Sequence, residues 1–242
     1  VAPRLGRATV EKVAINAVMA GCRPEYLPVV IAGVEAICDP GFALVGVSGT
    51  TDAVAPLLIL NGPVRLTLDV NAGAGAFGPG WRANATIGRA VRLVWPNIEG
   101  AAPGAISMST FSQPGRYSCC IGENEEASPW EPLHVEHGFA AGDSTVAAIA
   151  AETLQVVANT LGRTARDILS SVARRGAVIA SDAHAGLGDT VLVIGPEHAR
   201  TIAGGGWSKA QARQFRWAET LVSVGAARPC PSSASRGTSG SW

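Results

Sequence analysis

Residues 115–139 read GRYSCCIGENEEASPWEPLHVEHGF, and few stretches of this chain hold so many reactive side chains. Cys119 and Cys120 are adjacent. Glu123, Glu125 and Glu126 follow, then Trp130 between two prolines, then His134 and His137. Three chemistries fit this set. A cysteine nucleophile or redox thiol needs a nearby cation, helix N-terminus or metal to hold it as thiolate. His134 or His137 could provide that charge, and the glutamates would oppose it. A metal centre could draw on Cys120, His134 and His137. No CxxC or HExxH pattern accompanies them, and two histidines three apart share a face only in a helix. The third reading is a solvated acidic loop anchored by Trp130. If YSCCIG is a strand, neighbouring side chains alternate faces, so at most one of the two cysteines faces a site.

A second candidate is GPGWRANATIGRA, residues 78–90, where a glycine-rich turn enters a helix with Arg82 at the junction. Free N–H groups and the helix dipole favour an anion there, and Arg82 is suited to a bidentate grip on carboxylate or phosphate. The glycines equally serve close helix packing. No Lys-Ser/Thr pair follows and no dinucleotide fingerprint is present, so the cofactor is left undetermined. Two further residues follow apolar runs: Asp52 in SGTTD, and His198 in GPEHA. Both would sit at strand carboxyl ends, where α/β sheets bind ligands. Each also reads as an ordinary turn or capping residue.

These side chains need elements to position them. TVEKVAINAVMA has Val10, Val13, Ala14, Ala17 and Val18 at helical spacing, closed by Gly21. PEYLPVVIAGVEAIC predicts a second helix opened by proline. FALVGVSG, APLLILNG and TVLVIG read as buried strands, YSCCIG as another, and STVAAIA as strand or helix. WRANATIGRAVRLVW predicts a helix ending before Pro96, and residues 97–116 a long loop. TARDILSSVARR predicts a helix with Thr164 and Asp167 at capping-box spacing and Gly176 past its end; SKAQARQFRWAETLV predicts one capped by Ser208. The expected fold is a single α/β domain over 1–225, a mixed or parallel sheet flanked by helices, with a disordered tail over 226–242. The order strand, Gly-Pro, short helix, glycines, Trp, helix occurs over 56–96 and again over 190–223. Chance accounts for this, or a pseudo-twofold repeat does.

The chain has 242 residues, with 19 basic and 19 acidic residues in balance. No basic excess is available to follow a phosphate backbone, which argues against nucleic acid. No apolar run reaches the length of a membrane span. Five cysteines, an odd number with two adjacent, do not make a disulfide framework, and a reducing cytoplasm is the expected setting. Only 16% of residues are charged, which suits a subunit packed against another chain in an oligomer or heteromer.

TVEKVAINAVMAGCRPEYLPVV, NGP, NAGAGAFGPGWRANATIGRA, CIGENEEASPWEPLHVEHGF and GPEHARTIAGGGWSKA stand in this order over most of residues 8–215. Together they resemble a poorly characterised bacterial family that partners, or is fused to, small proteins with a UGSC or CGSC motif, where U is selenocysteine. The partner motif is similar to the redox-active segment of glycine-reductase-type proteins. The resemblance implies a two-component enzyme in which the partner supplies a selenolate or thiolate and this chain binds a small anionic substrate. It places Arg82, Asn84, Cys120, Glu123, Asn124, Glu125 and His134 at the site, with Cys120, Glu123 and His134 in chemical roles. The alternatives are a non-catalytic scaffold for such a partner, or a metal-dependent hydrolase or lyase using Cys120, His134 and His137. The chain departs from the family pattern where TTDA replaces an expected TTHP, and where AETLQVVANTLG replaces a Gly/His/Asn-rich stretch.

Overall fold

Strand β1 (Ala55–Asn61) is buried along its whole length, as a continuous apolar run predicts for a strand covered on both faces. It pairs in parallel with β2 (Cys120–Gly122) and antiparallel with β3 (Thr145–Ala151). A short β4 (Thr238–Ser241) extends β3, giving the order β2-β1-β3-β4. The fold is the expected mixed α/β sheet flanked by helices. This computed structural model describes residues 1, 4–152, 154–180, 190–224 and 238–241. Most of the tail expected to be disordered lies outside the described residues; 238–241 form β4.

The chain separates into two compact units where the sequence suggested one domain. The first comprises Val1–Asn124, Pro132–Leu154 and Arg236–Trp242; the second comprises Glu125–Glu131 and Gln155–Ser235. In the first unit, α2 (Leu27–Cys38) and α5 (Arg82–Val94) bury Val30, Ile37, Ile87 and Val91 with Leu58 and Leu60 of β1. Leu57 and Ile59 point to the other sheet face, where they meet Cys119, Ile121 and Leu133 of the short α6 (Leu133–Glu136). This is the period-two alternation of a strand buried on both sides.

Helix α1 (Val10–Ala20) is capped as expected, by the Thr9 hydroxyl at its start and by left-handed Gly21 at its end. Its buried face differs from the expected one. Val13, Asn16 and Ala17 are buried, while Val10, Ile15, Val18 and Met19 are exposed. Asn16 is drawn inward because its side-chain oxygen accepts a 2.6 Å bond from Asn97 Nδ2.

Two expected strands do not form. Residues 44–49 make helix α3 (Leu44–Gly49), with Leu44 and Ser48, four apart, on its buried side and Val45 exposed. Residues 190–195 pair with no strand among the described residues, and Val191 and Val193 face solvent. Helix α5 ends at Val94, before Pro96 as expected. A wide turn over Trp95–Glu99 continues it, closed by Gly100 N–H on the Trp95 carbonyl. Pro96 is tolerated because the turn asks no N–H of it.

The second unit holds α7 (Ala165–Ala180), α8 (Pro196–Gly204) and α9 (Lys209–Val224). Both expected capping pairs form. Asp167 N–H donates to Thr164 Oγ1 at 3.2 Å, and Gln211 N–H to Ser208 Oγ at 3.1 Å. Helix α7 continues through Gly176 rather than ending there. Its Ile168 and Leu169 pack with Ile202, Trp207, Phe215 and Trp130. The Trp130 indole N–H donates to the Trp207 carbonyl at 3.2 Å. Among the described residues, no single helix is long and apolar enough to cross a membrane.

Candidate functional site at the carboxyl ends of the parallel strands

Because β1 and β2 are parallel and Leu60 pairs with Gly122, both strands end at one edge. That edge carries Asn61-Gly62 and Glu123. The Glu123 N–H donates to Leu60 O at 3.0 Å, extending the ladder by one step. Its carboxylate Oε2 accepts two bonds, from Asn61 Nδ2 at 2.5 Å and from the Leu133 N–H at 2.8 Å. Its Oε1 makes no hydrogen bond to the described residues, and the side chain is half-buried. The result is a carboxylate fixed by one oxygen and open at the other.

The glycine-rich stretch is tied to this edge by two asparagines. Asn84 of α5 accepts the Asn71 N–H at 2.8 Å and donates to the carbonyls of Asn71 (3.0 Å) and Ala76 (3.3 Å). Asn71 O also accepts the Gly122 N–H at 3.1 Å, and its side chain closes the loop on Gly73 N–H and Ala74 O. The Asn84 amide, placed by sequence in the substrate site, therefore spends both donors and its acceptor on holding the loop. Gly62 is left-handed, and a Cβ there would collide with the Asp143 carbonyl. Only glycine fits this turn out of β1. Arg65 of α4 (Pro63–Thr67) is buried at the same edge, its Cβ 3.6 Å from where a Gly122 side chain would start.

Arg82 does not stand as a free anion clamp. Its Nε donates to Gly21 O at 2.9 Å and so caps the end of α1. The α5 N-terminus it was expected to share with a ligand has Trp81 as its N-cap, with no side-chain capping bond.

Cys119 and Cys120 do point to opposite sheet faces. Cys120 faces α5 rather than a cleft. A Cβ on Gly88 of α5 would come 2.5 Å from Ser118 Oγ, 2.9 Å from Cys119 N and 3.2 Å from Cys120 Cβ. Burial, with the neighbouring Cys119 and Cys22, pushes the Cys120 thiol far above its ordinary pKa. Burial alone pushes Cys119 up to about 11. A thiolate nucleophile needs the opposite shift.

His134 is buried, its Nε2 3.5 Å from Ala141 O and its Nδ1 without a hydrogen-bond partner. His137 is exposed at the end of α6. Leu133 of that helix packs on the Cys119 face of the sheet, away from Cys120. No group of three His, Cys, Asp or Glu able to hold a metal occurs among the described residues. The set Cys120, His134 and His137 is therefore not assembled as a metal centre.

Asp52 lies at the amino end of β1, opposite Glu123, because the element before it is α3 and not a strand. It closes a local turn, its N–H donating to Thr50 Oγ1 at 3.1 Å. His198 belongs to the second unit, and its Nε2 lies 2.7 Å from Asn159 O, tying α8 to the segment before α7. Asn124 ends one unit and Glu125 begins the other. Of the sequence candidates, Glu123 keeps an unengaged polar atom at the strand edge. Asn61, Arg65 and Asn71 were missed. The signal was available for Asn61, a polar residue ending the run LLILN before a Gly-Pro turn. No protein-family model, curated protein or solved structure matches the chain.

Proposed function

We propose that this chain is the substrate-handling subunit of a two-component enzyme whose partner, a small UGSC- or CGSC-motif protein, supplies the reactive selenol or thiol. The observation that carries this reading is the Glu123 carboxylate, pinned through Oε2 and open at Oε1, at the carboxyl edge of a parallel strand pair. Ligands of α/β sheets bind at such edges, and a positioned carboxylate is suited to moving a proton there. Arg65 is buried at the same edge. Burial of Cys120 favours a reactive sulfur or selenium that comes from outside the chain. The five-motif resemblance supports the nature of the partner. The exposed apolar residues Ile15, Val18 and Met19 of α1 favour a second reading, a docking scaffold without chemistry of its own.

The test combines this chain with a purified UGSC/CGSC protein and follows thiol consumption over a panel of small carboxylates. Glu123→Gln should lower kcat by about 10²-fold or more while leaving partner affinity unchanged. A complex that forms while Glu123→Gln leaves turnover intact selects the scaffold. Turnover by this chain alone refutes the two-component reading. Iodoacetamide should label exposed Cys38 in the native protein and leave Cys120 untouched; rapid labelling of Cys120 would return the reactive thiol to this chain.

A further inference from the structure

Helix α3 is thinly held. It has six residues, two of them glycine, and a Cβ at Gly46 or Gly49 would meet nothing within 4 Å. It starts from Ala43 in the left-handed region, at φ 53°, without a side-chain cap. That conformation strains any residue with a Cβ. A cavity of about 400 Å³ borders its first turn, lined by Cys38, Asp39, Pro40 and Ala43–Gly46. Leu44 and Ser48 are buried and Val47 is half-buried. So short a helix, with so small a buried face, belongs to the low-stability end of a fold.

Ser48 is the polar tie. Its hydroxyl donates to Glu99 Oε1 in the turn Trp95–Glu99. Phe42, two residues before α3, meets Trp95 of the same turn edge-on, with ring centroids 6.4 Å apart. Residues 4–6 also cover this turn: Gly6 packs on the Ile98 carbonyl, and a Cβ on Gly100 would press on the Arg4 side chain. Glu99 is left fully buried, and its Oε2 has no hydrogen-bond partner. A carboxyl enclosed with one orphan oxygen is costly to charge. The cations about it are Arg92 of α5, stacked over the Trp95 ring at 4.5 Å, the Val1 amino group, and Arg4 over Gly100. Cys38, at the end of α2, is the other titratable side chain that Glu99 acts on. Burial outweighs the Ser48 bond, Arg92 and the amino group, and raises the Glu99 pKa from 4.5 to about 7.

We propose that α3 is a proton-operated latch, docked on the Trp95–Glu99 turn while Glu99 is protonated and released as Glu99 ionises. The latch lies away from Glu123 and does not depend on the strand-edge reading. In the open state Glu99 meets water and ionises at its ordinary value of 4.5; in the closed state it keeps its proton up to about 7. Opening therefore releases a proton between those values, and each pH unit favours it about tenfold. The closed state has its full advantage below pH 4.5 and has lost it by about pH 7.

Hydrogen exchange of the full chain at pH 5 and pH 7.5, expressed as protection factors, tests this. The Val47 and Thr50 amides, bonded to Ala43 O and Gly46 O, should lose protection at least tenfold at the higher pH. At both pH values they should be less protected than the Leu58 amide of β1. Glu99→Gln should remove their pH dependence. Ser48→Ala, which leaves the carboxyl in place, should lower their protection severalfold at pH 5, and it decides the matter where Glu99→Gln does not fold. Equal protection at the two pH values overturns the proposal. So does protection as high as that of Leu58, which would mean that α3 opens only when its whole unit unfolds. Wild-type α3 protection in Ser48→Ala overturns it as well.

Discussion

At the residue scale, Glu99 makes the sharpest claim. Its side chain is 0% exposed, at the end of the turn that continues α5. Burial raises its pKa from 4.5 to about 7, against the opposing pull of the Ser48 hydroxyl, Arg92 and the Val1 amino group. The Cys38 thiol, at the end of α2, is raised chiefly by burial, with Glu99 a smaller cause. Between those two pH values the folded chain holds a proton that the unfolded chain has released. Stability therefore falls as pH rises from about 4.5 to about 7, and the contribution is fully present only below that window. The size is on the order of 3 kcal/mol. Glu99→Gln should flatten this slope and leave the variant more stable than wild type at pH 8. Urea unfolding at pH 5 and pH 8 measures both; a variant with the wild-type slope would show that the proton sits elsewhere. Glu99 was not legible in the sequence. It is one acid in PNIEG after an apolar helix, and only the fold brings Ser48 and Arg92 to it. Glu123 was legible as a candidate, but its clamp was not, because Asn61 and Leu133 lie 62 and 10 residues away.

At the element scale, the approach of α5 to β2 depends on Gly88. A methyl group there would press on Ser118 Oγ and on the Cys119 backbone at 2.9 Å, and the backbone cannot rotate away. Gly88→Ala also brings a small gain in helix propensity, about 1 kcal/mol. Overpacking of a dense core costs about 1–3 kcal/mol, so the net effect should be a loss of up to about 2 kcal/mol. A chemical-denaturation midpoint lower than wild type checks this; an unchanged or higher midpoint would mean that α5 moves off the sheet at no cost. The elements also show where sequence reading succeeds. Capped helices with a charged face were legible, because Thr9, Thr164 and Ser208 mark their starts chemically. β1 was legible because six apolar residues, Ala55–Leu60, bounded by turn residues fit a central strand. FALVGVSG and TVLVIG were not, since a short apolar run lacks a period that separates helix from strand. What decided them was tertiary: the sheet pairs β1 with β2 and β3, and 44–49 turns into a helix with Leu44 and Ser48 inward.

At the scale of the whole molecule, the chain has separate hydrophobic cores. One surrounds β1, with Val30, Leu58 and Val91. Another joins Ile168, Leu169 and Ile202 with Trp130, Trp207 and Phe215 in the second unit. The only piece of this second unit that precedes α6 in sequence is Glu125–Glu131, and Trp130 anchors it through the Trp207 carbonyl and the same apolar cluster. The acidic window that first suggested a self-contained site is thus divided, with Glu123 in one unit and Trp130 in the other. Cooperativity follows the core that a residue belongs to. Leu169 is fully buried, and Leu169→Ala should cost its own unit about 3 kcal/mol. Hydrogen exchange should then quicken across α7, α8 and α9 while the amides of β1, β2 and α5 keep their wild-type protection. Leu58→Ala should produce the reverse pattern. Equal loss of protection across both sets of elements in either variant would mean that the two cores unfold as one, and that Glu123 and Trp130 share a single cooperative unit after all.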